Sequence, residues 1–325
     1  MEYRQLGRSG LRVSALGLGT NSLGSRADRA ESIRIVHQAL DQGINFIDTA
    51  NNYSNTLSES IIGDAIRDRR QEVVLATKAG LVRGKGVNER GSSRYHIQRE
   101  VEDSLQRLKT DRIDLYQIHS FDPGTPLEET LRALDNLIRA GKVLYIGASN
   151  YAAWELMKAL GISDRAGLSR YVSIQPCYSL ADRTIERELV PLCLDQGVGI
   201  IPYFPLAGGL LTGKYAQGRI PSGSRLEKNP DFSNRFDQDR LQLGDQVASL
   251  AKQLGTTAGA LSLAWLMLNP VVSTIIVGAT RAEQVKENLA CLPLKLDAST
   301  IAELDRISAP FRYGRPFAEF RLAPR

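Results

Sequence analysis

Asp48, Tyr53, Lys78 and His119 are the side chains of this sequence whose types fit a single reaction. A free phenol, with a pKa of about 10, is a weak acid near neutral pH. A lysine ammonium close by favours the phenolate, and an aspartate beside the lysine keeps it charged and positioned. A histidine at the same place would orient a carbonyl by hydrogen bonding or share the proton transfer. The chemistry this suits is proton donation to a carbonyl oxygen. The set lacks an obvious nucleophile, so a hydride would have to come from a cofactor. Singly, each residue has a plainer role: Asp48 as a strand-end cap, Tyr53 as a loop aromatic among asparagines, Lys78 as a solvated strand end, His119 as a structural histidine. Position is what joins them.

Short apolar runs at 15–19, 44–48, 73–78, 115–119, 143–149, 172–175, 199–203 and 274–277 read as strands. Stretches of helical period lie between them, at 28–42, 58–69, 95–109, 127–140, 152–160 and 185–196. The helices stop at Gly43, Gly141, Gly161 and Gly197, and Thr184 stands as an N-cap before the last of them. Parallel strands need crossover connections, and eight in series close naturally into an α/β (β/α)8 barrel, the TIM-barrel class. Such barrels place their chemistry at the C-terminal ends of the strands. Asp48, Lys78 and His119 end three successive strands, and Tyr53 follows the first of these. The chain is expected to be one domain over 1–325, with a hairpin cap at 1–14, a long loop at 204–236, an extra helix at 297–308 and a tail at 309–325. The tail carries Phe311, Tyr313, Phe317 and four arginines, and either leans over the substrate or packs on a partner subunit.

The composition, 42% hydrophobic and 24% charged over 325 residues, is that of a globular protein with a large core, which excludes disordered, collagen-like and coiled-coil classes. Forty-one Lys and Arg against 36 Asp and Glu give a mild +5 spread along the chain, so a nucleic-acid partner is not expected. Cys177, Cys193 and Cys291 are widely spaced without neighbouring histidines, so neither a disulfide framework nor a metal site is expected. The opening MEYRQLGRSG has no apolar run and no stretch is long enough to insert in a membrane, so the expectation is a cytoplasmic protein.

Two glycine patterns are decoys. Gly17-Leu18-Gly19 with Gly24 imitates a dinucleotide fingerprint, but Ser22 takes the third glycine's place and no acidic ribose partner follows at the usual spacing. Gly208 to Lys214 imitates an ATPase phosphate loop, but Tyr215 replaces the required Ser or Thr. Close backbone approach to a pyrophosphate remains reasonable there.

Ile47-Asp48-Thr49-Ala50-Asn51-Asn52-Tyr53, Thr77-Lys78 and Asp114-Leu115-Tyr116-Gln117-Ile118-His119 together resemble the aldo-keto reductase family. So do Tyr3 to Leu11, Gly147-Ala148-Ser149-Asn150, Gln175, Gly208 to Tyr215, and Val277 to Thr280 leading to Glu287-Asn288. The resemblance covers nearly the whole chain. It implies NADP(H) bound without a Rossmann domain, Tyr53 as proton donor, and Asp48, Lys78 and His119 as its partners. It further implies that Ser149, Asn150 and Gln175 hold the nicotinamide carboxamide, that Tyr203 stacks on the ring, and that Leu206, Gly208 and Lys214 hold the pyrophosphate. Arg281, Gln284 and Asn288, spaced to share one helix face, would meet the adenosine end, with Arg281 on a 2′-phosphate. Gly278 and Gln284 stand where many members carry lysine and arginine. The expected activity is reduction of an aldehyde or ketone, with a small carbonyl or alcohol as substrate. Two alternatives stay open: a sugar or alcohol dehydrogenase, suggested by the polar Asn51, Asn52 and Asn55, and a nucleotide-sensing accessory subunit of a membrane channel, as some relatives are. The oligomeric state is also open.

Overall fold

The computed structural model describes residues 1–215, 219–222, 224–228 and 230–322. The last three residues of the expected tail and five residues of the expected long loop lie outside that set. Strands β1 (Tyr3–Gln5) and β2 (Arg12–Ser14) form an antiparallel hairpin. Eight parallel strands follow: β3 (Leu16–Gly19), β4 (Phe46–Asp48), β5 (Val74–Ala79), β6 (Ile113–Ile118), β7 (Val143–Ser149), β8 (Tyr171–Gln175), β9 (Gly199–Ile200) and β10 (Ile275–Gly278). Their order in the sheet is β10-β3-β4-β5-β6-β7-β8-β9. The ring closes where Ser273 N donates to Ile200 O at 3.0 Å and Ile276 N to Pro202 O at 3.3 Å. This is the expected (β/α)8 barrel.

The surrounding helices are α1 (Arg29–Asp41), α2 (Leu57–Ala65), α3 (Arg94–Leu108), α4 (Leu127–Arg139), α5 (Ala153–Ala166), α6 (Leu189–Gln196), α7 (Arg225–Lys228), α8 (Gln238–Gln253), α9 (Ala258–Met267), α10 (Glu283–Leu289) and the extra C-terminal α11 (Ala298–Ser308). Several start on side-chain caps that satisfy a first-turn N–H: Asp28 accepts from Glu31, Asp237 from Arg240 and Asp297 from Thr300.

Successive strand residues face opposite sides, which divides the core in two. Phe46, Val74, Ala76, Leu115, Ile201 and Ile276 fill the barrel interior, and Leu6 and Val13 of the hairpin pack against them. The hairpin therefore plugs the lower end. The alternate set, Ile47, Leu75, Tyr116, Ile118, Ile146 and Ile174, belongs to the larger core shared with the helices. Two residues above Phe46, Ala76 and Leu115 come Asp48, Lys78 and Gln117, all buried and polar. An apolar floor thus supports a polar mouth.

Four local expectations are corrected. Helix α5 runs through Gly161 to Ala166 and ends at Gly167 (φ 61°), because a helix interior tolerates a glycine while a left-handed cap selects one. Pro202 has no N–H for the ladder, so the seventh barrel strand is only Gly199–Ile200. Thr184 does not cap α6; its hydroxyl donates to Asp182 Oδ1 at 2.7 Å, within a separate 3-10 turn. The long connection after β9 is not loop throughout. It holds 3-10 segments at Ala207–Thr212 and Pro230–Arg235 and the short α7, and two further helices, α8 and α9, precede β10.

Gly7 sits at the tip of the plug with φ 56°, and a Cβ there would lie 2.3 Å from Val172 O and 2.8 Å from Gly197 O. Both strain and backbone collision oppose any side chain. Gly7→Ala is expected to lower stability by about 2–4 kcal/mol, read from denaturant unfolding, while leaving the mouth chemistry of the folded fraction intact.

Candidate active site

The mouth is built from strand ends in register: Gly19 beside Asp48, Lys78 beside Gln117, Ser149 beside Gln175. Lys78 is fully buried, and its ammonium donates to Asp48 Oδ2 at 2.6 Å, Thr49 O at 2.8 Å and Tyr53 Oη at 3.1 Å. Each of its three protons has an acceptor. Tyr53 is brought there by a turn in which Ser54, Asn55 and Thr56 all have positive φ, at 48°, 51° and 76°. Left-handed backbone costs roughly 1–2 kcal/mol per non-glycine residue, and such strain gathers at functional sites. The His119 ring meets the Tyr53 ring edge to face, with centroids 5.9 Å apart. All four expected residues are therefore together.

Burial works against the Lys78 charge, but Asp48 and Tyr53 outweigh it and hold the ammonium above its ordinary pKa. The phenol behaves differently from the expectation that lysine lowers it. Burial dominates, Asp48 adds to it, and Lys78 only partly offsets them, so Tyr53 is raised and keeps its proton. His119 is pulled well below 6.5 by burial and then by Lys78, so its imidazole is neutral. Its Nδ1 is buried without a partner among the described residues.

Ser149, Asn150, Gln175 and Tyr203 line the adjoining rim. Asn150 Nδ2 donates to His119 O at 2.9 Å, and Tyr203 Oη to Asn150 Oδ1 at 2.8 Å. Gln175 Nε2 donates to Asp48 Oδ1 at 2.8 Å. Leu206, Gly208 and Lys214 lie in and around the 3-10 segment Ala207–Thr212. Gly278 pairs with Gly19, which leaves the rim bare of side chains between β10 and β3. Of the three residues expected on one helix face, only Gln284 and Asn288 lie in α10. Arg281 precedes α10, and Gln284 Oε1 folds back to accept from Thr280 N at 2.7 Å and Arg281 N at 3.3 Å.

Two features escaped the sequence reading, and a third, the tail, takes one of the two placements expected for it, against the mouth of its own barrel. Gln117 donates to Asp48 Oδ1 at 3.0 Å, a role that the alternation Leu115, Gln117, His119 along β6 could have revealed. Tyr215 Oη, near the exposed Arg26 guanidinium, is buried without a partner among the described residues. The tail packs on its own barrel: Phe317 is buried against Phe204, Phe232 and Phe236, Phe320 lies 5.9 Å from the Tyr203 ring, and Leu322 N donates to Ser120 Oγ. No sequence period marks that irregular segment.

The sequence profile of the aldo/keto reductase family matches residues 15–309. The chain belongs to the aldo/keto reductase family. As a member, it is 41% identical over 318 residues to the uncharacterized oxidoreductase YrpG of Bacillus subtilis, covering 94% of this chain and 96% of that one. It is 39% identical over 315 residues to a probable voltage-gated potassium channel subunit beta of Arabidopsis thaliana, covering 94% and 95%. To protein tas of Escherichia coli it is 32% identical over 346 residues, covering 97% and 100%. This family member has no helix among its described residues that is long and apolar enough to cross a membrane. Its three cysteines are buried free thiols.

Proposed function

We propose that this family oxidoreductase is an NADP(H)-dependent carbonyl reductase in which Tyr53 protonates the oxygen of an aldehyde or ketone. The observation that carries the reading is the buried Lys78 ammonium shared among Asp48, Thr49 O and Tyr53 at the barrel mouth. Tyr53 holds its proton at Oη, Lys78 receives the developing phenolate's charge, and neutral His119 orients the carbonyl. Bound NADPH supplies the hydride that these side chains lack.

The chain has suitable groups for that dinucleotide. The bare Gly19–Gly278 rim gives it a crossing place beside the four residues. Ser149, Asn150 and the Oε1 of Gln175, unengaged among the described residues, suit a carboxamide, and Tyr203 offers a ring face. Lys214, Arg26 and the orphaned Tyr215 Oη bring donors to a diphosphate. Arg281 is exposed, with its side chain in no described ion pair, and suits a 2′-phosphate. Arg281→Ala should weaken NADPH binding about tenfold and leave NADH binding within about twofold, measured by titration of protein fluorescence. We place this activity in the reducing cytoplasm, in one domain spanning the chain.

The test is loss of reduced-nicotinamide absorbance on mixing protein, NADPH and a panel of aldehydes and ketones. No carbonyl-dependent loss would overturn the reading. Asn52 Oδ1 and Ser54 Oγ, buried and unpartnered among the described residues on the turn that carries Tyr53, favour a substrate with hydroxyl groups. Oxidation of sugars or polyols with NADP+ faster than any carbonyl is reduced would make the chain a dehydrogenase. The similarity to proteins named as channel β subunits supports a third reading, of tight nucleotide binding, very slow turnover and a stable channel complex.

A further inference from the structure

Asp48 is almost completely buried, and Lys78 engages only its Oδ2. The other oxygen, Oδ1, faces the barrel axis and accepts from two carboxamides: Gln117 Nε2 at 3.0 Å and Gln175 Nε2 at 2.8 Å. Gln175 Nε2 also reaches Gln117 Oε1, at 3.3 Å. Lys78, Asp48, Gln117 and Gln175 thus form one hydrogen-bonded chain across β5, β4, β6 and β8, with Tyr53 at its outer end. All four members are shielded from water.

We propose that Gln117 is a positioning residue for the proton transfer, setting the acidity of Tyr53 by holding the charge of Asp48. This rests on the reading of Tyr53 as the acid. A carboxylate oxygen removed from water must be given donors, and one hydrogen bond to a charged group carries far more in this setting than at the surface. The positive end of the Gln117 amide dipole lies against Asp48 and offsets part of the negative potential that opposes a phenolate on Tyr53. Lys78 is its in-register neighbour, so an apolar residue at 117 would still fill the layer above Leu115 but would leave Oδ1 with Gln175 alone. The Oε1 of the same side chain accepts from Gln175, the residue assigned to the carboxamide, so one side chain adjusts acid and cofactor wall together. Other titratable groups facing Tyr53 are Lys78 from β5, neutral His119 at the end of β6, and Tyr203 after β9. None of them touches Asp48 Oδ1 among the described residues, so a change at position 117 acts on Tyr53 through Asp48.

The experiment is a phenolate absorbance titration, read as the difference between each protein and its Tyr53→Phe counterpart, which isolates Tyr53 from the other ten tyrosines. In Gln117→Leu the Tyr53 midpoint should move about one pH unit higher than in the unaltered chain. Gln117→Glu keeps the size of the side chain. Its carboxyl, pressed against Asp48 Oδ1, shares a proton with it in the neutral range and has lost that proton by the alkaline range in which Tyr53 titrates, so the added negative charge should again move the Tyr53 midpoint higher. If Gln117→Leu does not fold, Gln117→Glu carries the test alone. A midpoint unchanged in the folded variants overturns the proposal. A shifted midpoint in a protein that reduces no carbonyl upholds the role of Gln117 and overturns the proposed function instead.

Discussion

Carbonyl reduction by Tyr53→Phe should fall by about 10²–10⁴-fold in kcat, while the NADPH dissociation constant stays within about twofold. The ring remains and fills the same space beneath His119, so the cofactor wall of Ser149, Asn150, Gln175 and Tyr203 is undisturbed. Only the proton is gone. The competing donor is His119, and pH separates the two. Tyr53 is raised above 10, so it is loaded with its proton throughout the neutral range, and reduction should be flat there and decline only on the alkaline side. His119 is held well below 6.5 by its burial and by Lys78, so an imidazolium donor would make the rate climb as the pH falls through the acid range. A Tyr53→Phe protein with the unaltered rate, or a rate that rises steadily toward acid, would assign the proton to His119.

What could be read in the sequence follows from which forces have a period. Strands buried on both faces leave apolar runs, and crossover helices leave their own period between them, so the barrel and the strand-end positions of Asp48, Lys78 and His119 were legible. The glycine stop at 161 misled because the same residue serves a helix interior and a left-handed cap, and only the backbone angle at Gly167 distinguishes them. The spacing of Arg281, Gln284 and Asn288 suggested a common face, but α10 starts only after Arg281, and Gln284 is drawn to two free N–H groups before its first turn, a local competition that no spacing rule contains. The direction of the Tyr53 shift was likewise beyond the sequence. Residue types supplied the Lys78 attraction, whereas the opposing burial exists only once the 53–56 turn folds Tyr53 into the mouth. Gln117 is written in the alternation of β6, but a carboxamide carries no charge that would mark it as part of the site.

Lys78→Met should cost about 3–5 kcal/mol of stability, more than the other single changes considered, because it leaves the Asp48 carboxylate buried without its cation. Gln117 and Gln175 still donate to Oδ1, but carboxamide dipoles do not neutralise a full charge. Asp48→Asn in the same protein removes that charge, so the double variant should recover most of the lost stability, as measured by denaturant unfolding. It should recover none of the activity, since Tyr53 would face no ammonium. The pair also contributes to the alkaline stability of the fold. Lys78 and Tyr53 are both raised above their unfolded values of 10.5 and 10.0, so their contribution is complete below those values and is lost as the pH rises through the folded ones. The melting temperature of the unaltered chain should therefore drop more steeply in that alkaline range than that of the double variant, which has no ammonium at this position to titrate. Equal slopes would mean that the buried pair is not held together by charge. A double variant no more stable than Lys78→Met would trace the loss to the packing of the lysine stem, and the orientation of Tyr53 would then depend on shape before electrostatics.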